Sequence, residues 1–191
     1  MGLDISVISN IEPVELPEGM EKWSDEFYDW EGDHYPSGLW TPYIDSNFPR
    51  QGEGLPDSEV VQSHGEGHSF RAGSYSGYNE WRNDLALAAG YEGGAEEVWS
   101  RGDGGEYGIP FEELINFPDN EGVIGPVASE KLYKDFVDQE EKIVKNIDEW
   151  YLKIHPTKAY NSDDFKWFMS KYNDWKEAFR LASDNGMVIF H

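Results

Sequence analysis

Cysteine is absent from this chain of 191 residues. Its absence excludes a disulfide framework, a thiolate nucleophile and any cysteine-ligated metal site. The chain also lacks an apolar run of the roughly 18 to 20 residues that cross a bilayer. Its start, MGLDISVISNIEPVELPEG, has neither the basic stretch nor the long apolar stretch of a secretory signal. The sequence therefore predicts a soluble cytosolic protein with no membrane partner, and no motif in it predicts a cofactor.

Basic residues are scarce and unevenly placed. The chain has 15 lysines and arginines against 38 aspartates and glutamates, a formal net charge of -23. Residues 1–121 hold 26 acidic and 5 basic side chains, a net of -21, whereas residues 122–191 hold 12 and 10, a net of -2. Phosphate contacts in nucleic acids require lysine and arginine, so we expect no direct binding of nucleic acid. The basic residues of the first part are Lys22, Arg50, Arg71, Arg82 and Arg101.

Aromatic residues are abundant, at 15% of the chain. They supply ample material for a packed core in a single domain spanning residues 1–191. Residues 10–57, rich in proline, glycine and acidic side chains, are expected to form an irregular region pinned to that core by its aromatics. Patterns of short apolar runs predict strands at residues 3–8, 59–62, 68–71, 111–117 and 187–190.

Apolar residues at helical spacing predict the helices. Tyr78, Trp81 and Leu85 share one face of a helix that Ser76 or Gly77 would cap and Gly90 would end. Other helices are predicted at 22–30, at 95–100 and after a cap at Ser162. A further helix begins at Pro126 and is either continuous over about 29 residues or broken near Gln139. The elements give an α+β fold: a small mixed or antiparallel sheet packed against a C-terminal antiparallel helical hairpin, with long irregular acidic loops. Residues 1–121 form the acidic part, and residues 122–191 form the hairpin with a closing strand.

The sequence FRAGSYSGYNEWR, residues 70–82, predicts a strand that turns into the start of a helix. Backbone N–H groups at a helix start favour an anion. Ser74 and Ser76 would add donors and Arg71 or Arg82 a charged fork, while aromatic rings would stack a base. The candidate ligand-binding residues are Arg71, Ser74, Tyr75, Ser76, Tyr78, Trp81 and Arg82, with His68 and Arg50 as further members. The alternative is that Ser76 caps the helix and the arginines pair with neighbouring carboxylates.

The segment HGEGH places His64, Glu66 and His68 at alternate positions. On a strand they would share a face, so two imidazoles and a carboxylate could bind a metal. Gly65 and Gly67 indicate a flexible loop instead, in which ligands would be poorly held.

Paired carboxylates provide a further hypothesis, acid–base chemistry in a hydrolase. Asp119 and Glu121 are the most suggestive pair, with His68 as another candidate group. A turn built from Pro118, Asp119, Asn120 and Gly122 explains the same residues.

A dense acidic run lies near the N-terminus. Such an array could resemble the phosphates of a nucleic acid and occupy the groove of a basic protein. It could equally be a solvated face. The carboxylates of the run are Glu12, Glu15, Glu18, Glu21, Asp25, Glu26, Asp29, Glu31 and Asp33.

Five segments resemble a family of uncharacterised proteins encoded mainly by phages and prophages. They are the MGLDI start with NFPRQGEGL (47–55), the phrase FRAGSYSGYNEWR, the stretch FEELINFPDNEGVIGPVASEKLYKDF (111–136) and the closing AFRLASDNGMVIF (178–190). The resemblance implies a phage context and no chemistry. We therefore expect a non-enzymatic accessory protein in the host cytoplasm that binds a small anionic, nucleotide-like ligand at residues 71–82 and so counters host defence. The alternatives are an acidic nucleic-acid mimic that binds a basic host protein, and a hydrolase.

Overall fold

Two antiparallel sheets contain the strands of the fold. The computed structural model describes residues 2–101, 109–118, 121–154 and 162–191. The strands are β1 (Gly2–Ile8), β2 (Ile11–Val14), β3 (Val60–Ser63), β4 (Gly67–Ser74), β5 (Gly122–Ile124) and β6 (Met187–Phe190). The larger sheet has the order β4-β1-β6-β5, and β2 pairs with β3 in the smaller one. Every pairing is antiparallel.

Seven α-helices complete the described structure, and the α+β class is confirmed. They are α1 (Asp25–His34), α2 (Tyr75–Ala89), α3 (Gly94–Ser100), α4 (Glu112–Ile115), α5 (Pro126–Asp138), α6 (Glu140–Ile154) and α7 (Ser162–Ala182). A short 3-10 helix occupies Pro49–Gly52. Of the two alternatives for the helix from Pro126, the structure shows the break near Gln139, since this residue ends α5. Gly90, at φ +103°, ends α2 as predicted. Among the described residues, no helix combines the length and the apolar character that a membrane span requires.

Two local predictions are wrong. Residues 111–117 do not form a strand, because Phe111 has φ +62° and begins the short helix α4. Contacts made far along the chain favour this helix: the backbone N–H of Phe111 donates to Asp135 at 2.8 Å. The cap of α2 is Ser74, not Ser76 or Gly77, because the Ser74 hydroxyl accepts from the Gly77 N–H at 3.0 Å.

The four-stranded sheet is covered on one face by helices. Leu3, Ile5 and Val7 of β1 belong to the same buried cluster as the apolar faces of α2, α5 and α7. The aromatic side chains at the centre of this main core are Tyr78, Trp81, Phe136, Phe168, Tyr172, Trp175 and Phe179. Part of the other sheet face, around Val123 and Ile189, packs against Ile11 and Val61 of the smaller sheet.

The smaller sheet and α1 lie within residues 11–63, which we call the acidic lobe. It has its own cluster of buried side chains, Val14, Phe27, Leu39 and Val60. Ser24 caps α1 by accepting from the Phe27 N–H at 3.1 Å, so the helix starts three residues later than predicted. The lobe contains 13 acidic and 2 basic residues, a net of -11.

Candidate functional site

The turn between β4 and α2 places part of the predicted ligand set at the surface. Ser74 and Ser76 are exposed, and their hydroxyl oxygens lie 3.1 Å apart. Tyr75 is partly buried and packs against the main core. Gly73 has φ +139°, a backbone conformation that residues with a side chain rarely adopt. This conformation lets β4 lead directly into the helix. The first turn of α2 therefore opens to solvent with two hydroxyls beside it.

Arg71 is exposed on the sheet face that points away from the helices. Its neighbours Phe70 and Ala72 face the main core, and side chains alternate along a strand. The guanidinium lies 3.5 Å from the Asp4 carboxylate on the adjacent strand. The backbone carbonyl of Arg71 accepts from the Lys171 ammonium group at 2.8 Å. The Arg71 side chain is thus accessible to solvent, and its ion pair with Asp4 is exposed.

Tyr78, Trp81 and Arg82 lie inside the protein. Both aromatic residues are fully buried, and their rings stack with centroids 6.3 Å apart. The Trp81 indole N–H donates to the Phe168 carbonyl at 3.3 Å. These residues form part of the main core, where α2 meets α7.

Arg82 is 5% exposed. Its guanidinium donates to the backbone carbonyls of Ile115, at 3.3 Å, and Phe117, and to the Asn79 side chain. It also lies 4.6 Å from the centre of the Tyr78 ring. Arg82 therefore donates to the carbonyl of the last residue of α4 and to one just after this helix. The structure does not bring it together with Arg71, which lies on the opposite side of the sheet.

The remaining ligand candidates are dispersed. Arg50 lies in the 3-10 helix of the acidic lobe. His68 is partly buried on β4, and its ring stacks on Phe70 at 5.5 Å.

The HGEGH segment bridges β3 and β4, so His64 and Glu66 lie in the connecting turn and not on a strand. His64 faces Glu12 at 3.3 Å, and Glu66 faces Arg180 at 3.6 Å. Within the described part of the chain, no group of three or more histidine, aspartate or glutamate side chains is arranged to hold a metal ion.

The carboxylate pair suggested for a hydrolase includes Asp119, which lies outside the described residues, as does Asn120 of the predicted turn; Glu121 is exposed.

A buried carboxylate that the sequence pattern missed is Glu113 on α4. It pairs with the Lys131 ammonium group, which also lies 2.9 Å from Asp135. Burial raises the pKa of Glu113, and the charge of Lys131 partly opposes that rise. Long-range packing creates this group, and no local motif marks it.

The acidic run covers the outside of the acidic lobe. Eight of its nine carboxylate residues are exposed, and Glu31 is partly buried because it accepts from the Leu39 N–H at 2.6 Å. Lys22 pairs with Glu59 at 3.7 Å. Thirteen carboxylates and two basic side chains share this lobe, so most of its negative charge has no compensating cation within it.

Exposed aromatic rings lie among these carboxylates. Trp23 and Tyr28 are 47% and 54% exposed, with ring centroids 6.2 Å apart. The sequence led us to expect the aromatics of this region to pin it to the core. Phe48 does so, with its ring 5.7 Å from that of Phe117. Phe27 packs inside the lobe's own cluster instead, and helical spacing turns Tyr28 to solvent. Ser24, as the cap of α1, is the signal in the sequence that could have shown which of Phe27 and Tyr28 faces inward.

Comparisons with known proteins identify no relative: no family model matches this chain, and neither does any curated protein or solved structure.

Proposed function

We propose that the protein binds a basic protein surface through its acidic lobe, as a non-enzymatic, phage-encoded inhibitor that acts in the host cytoplasm. The target would be a protein whose lysines and arginines normally contact nucleic acid. The observation that carries the proposal is the uncompensated charge of the lobe, 13 acidic against 2 basic residues. Complementary charge steers association and selects partners.

Three carboxylates of α1 are the clearest contact candidates. Asp25, Glu26 and Asp29 are exposed, and no hydrogen bond or ion pair among the described residues engages their side chains. They lie within two turns of one helix, so their spacing is fixed before a partner arrives. A charged array that is already ordered loses little entropy on binding.

Binding of a small anion at residues 71–82 remains a second proposal with a smaller set of residues. Arg71, Ser74, Tyr75 and Ser76 are accessible there, whereas Tyr78, Trp81 and Arg82 are committed to the core. Native mass spectrometry of protein purified gently from host cells tests it. A bound mass of a few hundred daltons that is lost in Arg71→Ala would support this second proposal.

A displacement assay tests the main proposal. Proteins from a bacterial lysate are retained on immobilised duplex DNA, and the column is then washed with the purified chain at constant salt. We expect wild-type protein to release a defined subset of DNA-bound proteins in complex with itself. The variant Asp25→Asn/Glu26→Gln/Asp29→Asn should release much less.

The matched control removes three exposed carboxylates outside the lobe, Glu130→Gln/Glu141→Gln/Asp184→Asn. It should release the same proteins as the wild type, because the lobe is intact. Equal release by all three forms, or none by the wild type, contradicts the proposal.

A further inference from the structure

An exposed aromatic pair lies at the start of α1. Both rings contact Phe27 edge to face, Trp23 at 5.0 Å and Tyr28 at 5.6 Å between centroids. Their planes are tilted by 36° to each other. The two outer rings therefore form a continuous apolar surface that stands on a buried third ring.

The pair is held firmly by its surroundings. Phe27 is fully buried in the lobe cluster with Val14, Leu39 and Val60, and its N–H is fixed by the Ser24 cap. Trp23 has φ +68°, a conformation that a bulky residue adopts only where its surroundings impose it. Two large aromatic side chains are thus held about half exposed to water above a buried ring, at a cost in solvation.

The charges around the pair select the chemistry of an occupant. Asp25, Glu26 and Asp29 belong to the same two helical turns and carry no partner among the described residues. The Trp23 ring already contacts one cation, because the Lys22 ammonium group lies 5.9 Å from its centroid. An apolar or anionic occupant would meet repulsion or unpaired carboxylates, whereas a cation gains from both the rings and the charges.

We infer that Trp23 and Tyr28 form an anchor site for an arginine side chain of the basic partner. This inference rests on the proposed function and specifies the partner's key residue. A guanidinium group stacks flat on an aromatic ring and still donates N–H groups from its edge to carboxylates, which a lysine ammonium group cannot do in the same geometry. The aromatic pair supplies the stacking surface, and Asp25, Glu26 or Asp29 supplies the acceptor.

The test compares hexa-arginine with hexa-lysine, two peptides of equal charge, by calorimetric titration of the full chain at low salt. We expect wild-type protein to prefer hexa-arginine. Trp23→Ala and Tyr28→Ala should each weaken hexa-arginine binding about three- to tenfold, with hexa-lysine binding changed by less than about twofold. In NMR spectra, the indole N–H signal of Trp23, assigned with Trp23→Phe, should shift only with hexa-arginine.

Tyr43→Ala is the matched control, since Tyr43 is 52% exposed in the same lobe, and it should leave both affinities unchanged. Trp23→Phe keeps an aromatic face and should retain most of the arginine preference, which separates stacking from a folding defect in Trp23→Ala. A wild-type protein without preference, or a preference that survives Trp23→Ala and Tyr28→Ala, overturns the inference. The proposed function fails separately, if Asp25→Asn/Glu26→Gln/Asp29→Asn binds both peptides as tightly as the wild type.

Discussion

The acidic lobe and the C-terminal residues 122–191 differ in how their carboxylates are neutralised. The C-terminal part has 12 acidic and 10 basic residues, and many of these meet in ion pairs along or between helices. Examples are Lys131–Asp135, Lys145–Glu149, Lys171–Asp174, Lys176–Glu140 and Arg180–Glu177. The lobe has two basic residues for 13 acidic ones. Charge in the C-terminal part is mostly satisfied internally, whereas charge in the lobe is available to a partner.

The two regions also differ in the size of their cores. The main core contains stacked aromatic rings from α2 and α7, with Trp81 and Trp175 centroids 6.1 Å apart. The lobe has its own cluster of four buried side chains that includes Phe27, and its Ile11 and Val61 pack against the four-stranded sheet. Local stability follows the amount of buried apolar contact, so we expect the lobe to open at lower free energy than the main core.

The largest expected effects separate these two cores. Trp81→Ala should lower the free energy of unfolding of the whole chain by about 3 to 5 kcal/mol, because it removes a fully buried indole from the main core. Phe27→Ala should open the lobe and leave the four-stranded sheet folded. Hydrogen exchange measures both, and loss of amide protection in β1 and β6 on Phe27→Ala would show that the two cores unfold as one.

The next effect distinguishes the two arginines of the 70–82 segment. Arg82→Ala should lower the free energy of unfolding by about 2 to 3 kcal/mol, because the Phe117 carbonyl and the Asn79 side chain lose the guanidinium. The Ile115 carbonyl keeps the Trp99 indole N–H as a donor, at 2.9 Å. Arg71→Ala should change it by less than about 0.5 kcal/mol, since its ion pair with Asp4 is exposed. Urea titration measures both values, and equal values would contradict the different positions of the two side chains.

A smaller effect tests the cap of α2. Ser74→Ala should cost about 1 kcal/mol of stability, the usual value for a lost N-cap. Ser76→Ala serves as the control and should cost less than about 0.3 kcal/mol, because its backbone position lies within the helix. The reverse order in thermal unfolding would place the cap where the sequence first indicated it.

The smallest expected effect concerns pH. Because burial raises the pKa of Glu113 in the folded protein, ionisation is harder there than in the unfolded chain. Glu113 therefore contributes stability below its unfolded pKa of about 4.3, and this contribution is lost as pH rises through the higher folded value. Relative to Glu113→Gln, wild-type stability in urea should fall between pH 4 and pH 7. A difference that stays constant over this range would contradict the raised pKa.

Elements determined by local pattern were predictable from sequence. The alternation of Leu3, Ile5 and Val7 predicted β1, and the spacing of Tyr78 and Trp81 predicted a buried face of α2, both of which are confirmed. Tyr78 and Trp81 were also candidate ligand residues, but the structure buries both, because a residue on an apolar helical face packs inward.

Features determined by distant contacts were not predictable. Residues 111–117 read as a strand, but the helix depends on Asp135 and Lys131 in α5. The lobe cluster joins Val14, Phe27 and Val60 across 46 residues of an irregular stretch, and no periodic pattern links them. The exposure of Trp23 follows from that packing, so composition alone identified aromatic residues without showing which ones face water.

Calorimetric titration of a protein recovered from the displacement assay tests the central claim most directly. Its affinity is measured for wild type, for Asp25→Asn/Glu26→Gln/Asp29→Asn and for Glu130→Gln/Glu141→Gln/Asp184→Asn at several salt concentrations. We predict that the lobe variant binds at least about tenfold more weakly and with a shallower salt dependence, while the second variant matches the wild type. Equal loss in both variants would show that total charge, and not the lobe, determines binding.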